Sequence, residues 1–109
     1  MTRDSWLALC LQVSAGFVPG GKKERMFDTG VTMAKFLVDN GLAWDGCHIL
    51  DLGCGNGRLA MGFTEIVPGI NYHGVEIIRE CIKFCNMAFE AHNNFHFYHL
   101  QVVNSAFLV

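Results

Sequence analysis

The stretch that decides the fold is Ile49-Leu50-Asp51-Leu52-Gly53-Cys54-Gly55-Asn56-Gly57-Arg58-Leu59-Ala60. A short apolar segment, bounded by Gly46 and Gly53, leads into three glycines at alternate positions and then into helix-compatible residues. Glycine allows positive φ and lets a ligand approach the main chain closely. The pattern predicts a buried strand, a tight turn and a helix whose first N–H groups suit a carboxylate or a phosphate.

The segments on either side of this stretch alternate between helical and strand patterns. We expect a helix from Asp28 or Thr29 to Asn40-Gly41, and further helices at 57–67 and 78–91. Strands are expected at 47–52, 72–77 and 95–100. This order predicts an α/β fold with a three-layer parallel sheet and right-handed crossovers.

A second acidic residue strengthens the ligand interpretation. Glu76 comes 19 positions after Gly57 and ends the second predicted strand, where a carboxylate can accept both hydroxyls of a ribose. A glycine loop alone is weak evidence, and its combination with this glutamate is more specific. The alternative is that the glycines only make a tight turn and that Glu76 is a solvated strand end.

The glycine spacing separates two classes of adenosine ligand. The pyrophosphate motif Gly-x-Gly-x-x-Gly places its last two glycines three apart, whereas Gly55 and Gly57 are two apart. Asp51 would put a negative charge beside a ligand ammonium, and it would be poorly placed beside a pyrophosphate. A dinucleotide-binding module for NAD remains an alternative.

These two motifs resemble those of the class I S-adenosylmethionine-dependent methyltransferases. Residues 51–57 are similar to the first motif of that family and Gly74-Val75-Glu76-Ile77 to the second, within a resemblance that covers about residues 28–104. The resemblance implies a Rossmann-like fold with S-adenosylmethionine as the cofactor. The cofactor-binding residues it implies are Asp51, Gly53, Cys54, Gly55, Asn56, Gly57, Glu76, Ile77 and Gln101.

Within that set, the resemblance implies separate roles. The three glycines line the methionine part of the cofactor and Asp51 lies near its amino group. Glu76 binds the ribose, Ile77 packs on the adenine, and Gln101 lies near the adenine amino group.

The resemblance also implies elements that follow the third strand. In the family, a fourth strand and its loop close the cofactor pocket and supply most contacts to the methyl acceptor. We therefore expect the chain to be the cofactor-binding portion of a methyltransferase, truncated before its substrate-binding half. Alone it is expected to be inactive, and the sequence does not identify the methyl acceptor. Residues 1–27 are expected to form an N-terminal helix and a basic loop, and residues 28–109 the partial domain.

A different kind of function is the runner-up. The first strand would leave one edge with unpaired backbone groups, which is a site for pairing with another chain. A charged fraction of only 17% agrees with an uncovered apolar flank. The alternative is a non-catalytic partner subunit that pairs through this edge, as a homo- or hetero-oligomer, with a fuller methyltransferase.

Composition limits the other classes of function. A chain of 109 residues allows one small domain, and a net charge of −2 gives no attraction to nucleic acid. No apolar run reaches the roughly 18 residues that span a bilayer, so no membrane partner is expected. The run Trp6–Gly16 resembles a signal peptide, but Asp4 cancels the charge of Arg3, and an amphipathic capping helix is favoured.

Cysteine and histidine spacing predict neither a disulfide framework nor a metal site. Five cysteines without a Cys-x-x-Cys pair favour reduced thiols and a cytoplasmic location. His92, His96 and His99 suggest a metal ligand set, but strand geometry places His96 and His99 on opposite faces.

Overall fold

The computed structural model describes residues 23–101, with side chains from residue 28. Three helices alternate with three strands: α1 (Lys23–Asp39), β1 (His48–Leu52), α2 (Arg58–Ile66), β2 (Asn71–Glu76), α3 (Arg79–Ala88) and β3 (Phe95–His99). The alternation confirms the predicted order of elements. The predicted capping helix at Trp6–Gly16 lies outside the described residues.

The start of α1 differs from the prediction. The helix begins at Lys23 and so includes the part of the predicted basic loop from Lys23 to Arg25. The run Lys-Glu-Arg-Met at 23–26 consists of good helix formers without glycine or proline. A run of charged residues is typical of an exposed helix as well as of an exposed loop.

The strands form one parallel sheet in the order β1-β2-β3. In this register Leu52 lies beside Val75, and Glu76 lies beside His99. The carboxyl ends of the strands therefore meet at one edge of the sheet, where open α/β sheets bind ligands. The sheet confirms the predicted α/β class.

The three helices cover one face of the sheet. Tyr72, Phe95 and Phe97 point from the strands into this buried core, together with Phe63 of α2 and Phe84 of α3. The opposite face, here called the open face, carries Leu50, Leu52, His73 and Tyr98, and Leu52 is 74% exposed. Residues 23–101 therefore supply two of the three predicted layers.

Two glycines set the distance between α1 and α2. A Cβ on Gly62 would overlap the carbonyl oxygen of Gly30, and a Cβ on Gly30 would overlap the carbonyl oxygen of Arg58. The helix backbones are therefore in direct contact. Because α2 begins at the glycine turn, α1 helps to fix the position of that turn.

The described cysteines and helices add two observations. Cys47, Cys54, Cys81 and Cys85 are buried free thiols. Between residues 23 and 101, the structure contains no helix with the length and apolar character needed to cross a bilayer.

Candidate functional site

The glycine turn, residues 53–57, has one open side and one packed side. Gly53, Gly55 and Gly57 have φ of 78°, 57° and 83°, the left-handed region that glycine adopts without strain. A Cβ on Gly53 or Gly55 would meet open space, whereas a Cβ on Gly57 would lie 2.7 Å from a ring carbon of Phe89. A ligand can therefore reach the backbone at Gly53 and Gly55, while Gly57 is required by packing.

Backbone hydrogen bonds tie this turn to β2. The N–H groups of Gly53 and Cys54 both donate to the carbonyl oxygen of Val75, at 2.7 and 3.1 Å. Gly57 is the N-cap of α2 and makes no side-chain cap. The positive end of the α2 dipole therefore lies at the turn, and its cap residue has no side chain that could neutralise it.

Glu76 brings the two sequence motifs together. Its Oε1 accepts the N–H of Gly55 at 3.0 Å, and its Oε2 accepts the N–H groups of Ile77 and Ile78 at 2.7 and 3.0 Å. The residue is only 8% exposed. Glu76 is therefore held against the glycine turn, and it is not the solvated strand end of the alternative interpretation.

Asp51 lies on the helix-covered face of β1, just before the turn. Its Oδ2 accepts a hydrogen bond from the Tyr72 hydroxyl at 2.5 Å. Burial raises the pKa of the Asp51 carboxyl above its ordinary value of 3.8, while Tyr72 and the charge of Arg58 act in the opposite direction. The carboxylate is thus held in a partly buried position where an unpaired charge is costly.

Cys54 and Asn56 lie in the interior. A Cβ on Gly74 would lie 2.9 Å from the sulfur of Cys54, so the cysteine packs under the turn against β2. Asn56 is a buried polar residue. Cys54 therefore shapes the turn from its packed side, away from the open space above Gly53 and Gly55.

Ile77 and Gln101 lie at the same edge of the sheet. Ile77 directly follows Glu76 and is 60% exposed. The N–H of Leu100 donates to the Glu76 carbonyl oxygen at 2.9 Å. Gln101 is exposed and directly follows Leu100. The structure thus places the predicted residues from three strand ends along one edge.

Sequence reasoning missed three side chains that support the site. Tyr72 binds Asp51, the Cys85 thiol donates to the Gly55 carbonyl oxygen at 3.3 Å, and Phe89 packs under Gly57. The strand alternation gave a signal for Tyr72, because residues 72, 74 and 76 share a face. Cys85 and Phe89 gave no signal beyond their helical spacing among the apolar residues of the predicted helix at 78–91.

The histidines fall as the strand geometry predicted. His96 and His99 both lie in β3, His96 exposed and His99 with its Nε2 3.1 Å from the Ile77 carbonyl oxygen. Within the part of the chain that the structure describes, no three metal-ligating side chains cluster.

A family model of a methyltransferase domain matches residues 44–104, more than half of the chain. The chain belongs to the methyltransferase domain family. The match begins before β1 and ends beyond β3, so it includes the glycine turn, Glu76 and Gln101 of this methyltransferase domain. No curated protein matches the chain.

Solved structures share the fold of this methyltransferase domain. YjhP from E. coli matches with a TM-score of 0.58 and 20% identity over 84% of this chain and 36% of YjhP. Coclaurine N-methyltransferase, bound to N-methylheliamine and SAH, matches with a TM-score of 0.60 and 13% identity over 94% of this chain and 32% of that enzyme. The bifunctional kinase-methyltransferase WbdD matches with a TM-score of 0.51 and 20% identity over 74% of this chain and 18% of that protein.

These structural matches show a common fold, which is the Rossmann-like fold of class I methyltransferases. The methyltransferase domain spans about a third of the length of the first two structures.

Proposed function

We propose that this methyltransferase domain binds S-adenosylmethionine at the glycine turn and forms the cofactor-binding portion of a class I methyltransferase. The observation that carries the proposal is the hydrogen bond between the Glu76 carboxylate and the N–H of Gly55. It joins the acidic residue of one motif to the turn of the other, at the carboxyl edge of a parallel sheet.

The residues at this edge fit the chemical groups of the cofactor. Open space above Gly53 and Gly55 admits a ligand to the backbone. The uncapped N-terminus of α2 suits the carboxylate of the amino acid part, and Asp51 suits its ammonium group. Glu76 suits one ribose hydroxyl, since a carboxylate has about four acceptor sites and three backbone N–H groups occupy three of those of Glu76.

The adenine would be held by residues beyond Glu76. Ile77 offers an exposed apolar side chain directly after the ribose-binding position, and Gln101 offers an amide at the neighbouring strand end. Cys54 and Asn56 would act from beneath, by holding the turn in the shape that the ligand requires.

S-adenosylmethionine would supply an activated methyl group on its sulfonium. For such a transfer the protein mainly aligns donor and acceptor. We assign the residues at the carboxyl edge of the sheet to binding of the methyl donor. Methyl transfer also requires that an acceptor be held beside the donor.

Calorimetric titration with S-adenosylhomocysteine (SAH) tests the proposal. We expect one binding site with a Kd within about 1 μM–1 mM, the range common for enzyme ligands. NAD should not compete, since the Gly55–Gly57 spacing does not suit a pyrophosphate. A folded sample that gives no binding heat at millimolar SAH, or that prefers NAD, contradicts the proposal.

A second candidate function is pairing with a strand of another methyltransferase chain. Among the described strands, β1 is bonded to β2 alone, and Leu50 and Leu52 on the open face of β1 are exposed. We expect association that strengthens with protein concentration, measurable by sedimentation. A folded chain that stays monomeric at high concentration and with a full-length methyltransferase contradicts this candidate.

A further inference from the structure

We propose that Tyr72 is a positioning residue for cofactor binding, and that its hydroxyl holds the Asp51 carboxylate in the orientation and charge that a ligand ammonium requires. The inference rests on the proposed function and deepens it, because Asp51 is the group that would meet the amino group of the cofactor. Nothing in the sequence motifs includes Tyr72, which lies two residues before Gly74.

Packing fixes the Tyr72 hydroxyl in place. The side chain is completely buried, and its ring lies 5.4 Å from the Phe95 ring, 5.5 Å from the Phe97 ring and 6.2 Å from the Phe63 ring, between centroids. A ring packed on three sides has one rotamer available. The hydroxyl therefore meets Asp51 from a fixed direction.

This direction determines how Asp51 is presented. The bond from Tyr72 occupies Oδ2, which fixes one of the two carboxylate oxygens. Asp51 lies two residues before the first glycine of the turn whose open side admits a ligand. A carboxylate held in this way loses less rotational freedom when an ammonium binds, which favours affinity.

The charges around Asp51 decide whether it can attract a cation. Burial and the nearby Glu76 carboxylate raise the pKa of Asp51, while the Tyr72 hydroxyl and Arg58 of α2 lower it. The pKa of Tyr72 is raised above its ordinary value of 10.0 by burial and by Asp51, so the hydroxyl stays a donor. Without that donor, the pKa of Asp51 rises further and the carboxylate is protonated at a higher pH.

The variant Tyr72→Phe tests the inference, since it removes the hydroxyl and keeps the ring. We expect SAH affinity at pH 7 to fall about tenfold, the scale of one hydrogen bond to a charged group. Binding to an ammonium needs ionised Asp51, so affinity falls as the pH drops through the pKa of that carboxyl. Calorimetry at a series of pH values should show this acidic decline at higher pH in the variant than in the parent chain.

Two further variants separate positioning from a structural effect. Tyr98→Phe removes a tyrosine hydroxyl on the open face and should leave the pH profile unchanged. Asp51→Asn should abolish the acidic decline, and adding Tyr72→Phe to it should change SAH affinity little, because the two groups act through one contact. A loss of thermal stability in Tyr72→Phe with an unchanged pH profile overturns the inference.

A measurement on the free protein distinguishes this inference from the proposed function. The pKa of the Asp51 carboxyl, followed by NMR without ligand, should be higher in Tyr72→Phe than in the parent chain. An unchanged pKa overturns the inference even where SAH binds. If the pKa of Asp51 is raised in the variant but the parent chain binds no SAH, the contact between Tyr72 and Asp51 is supported. The proposed function and its extension to Tyr72 are then both overturned.

Discussion

Replacing Glu76 with glutamine is expected to weaken SAH binding about 100-fold or more. The ribose would lose a hydrogen bond to a charged acceptor, which is worth about 1.5–3 kcal/mol. The turn would also change, because three backbone N–H groups converge on the two carboxylate oxygens. Glutamine offers one oxygen, and its NH₂ group would face at least one N–H donor.

Calorimetry with SAH and thermal unfolding measure both consequences. The control is Glu65→Gln, which makes the same change of charge at an exposed position of α2. Glu65→Gln should keep SAH affinity and the Tm near those of the parent chain. If folded Glu76→Gln binds SAH within threefold of the parent, Glu76 stabilises the turn but does not bind the cofactor.

The sequence predicted β1 well because glycines lie on either side of it. β1 ends at Leu52, directly before Gly53, and α2 follows Gly57 as expected. The start of α1 was missed because the charged residues from Lys23 carry no apolar periodicity. Charge alone does not distinguish an exposed helix from a loop.

The main chain of the candidate site was predictable, and its supporting side chains were not. Parallel topology requires the carboxyl ends of β1 and β2 to meet, so the proximity of Glu76 to the glycine turn followed from element order. The bonds from Tyr72 to Asp51 and from Cys85 to Gly55 depend on how α2 and α3 pack on the sheet. That packing is a long-range property that motif spacing does not contain.

The contact between α1 and α2 should be the position where one methyl group has its largest effect on stability. In Gly62→Ala the new Cβ would overlap the Gly30 carbonyl oxygen, and backbone cannot move aside unless the helices separate. Overpacking against backbone costs about 3 kcal/mol, the upper end of the usual range, against about 1 kcal/mol gained from the helix propensity of alanine. We expect a net loss of about 2 kcal/mol, which lowers the Tm of a domain this size by about 8–16 °C.

The matched control is Gly46→Ala, where a Cβ meets open space and only the φ of 83° opposes alanine. Thermal unfolding should show a larger loss of stability for Gly62→Ala than for Gly46→Ala. Gly30→Ala should cost less stability in the Gly62→Ala background than in the parent chain, because the helices are already apart. Separation of the helices would also move the start of α2 at Gly57, so SAH affinity should fall in Gly62→Ala and persist in Gly46→Ala. If Gly62→Ala were as stable as the parent chain, α1 and α2 would separate without cost, and the glycine turn would be held by β2 and α3 alone.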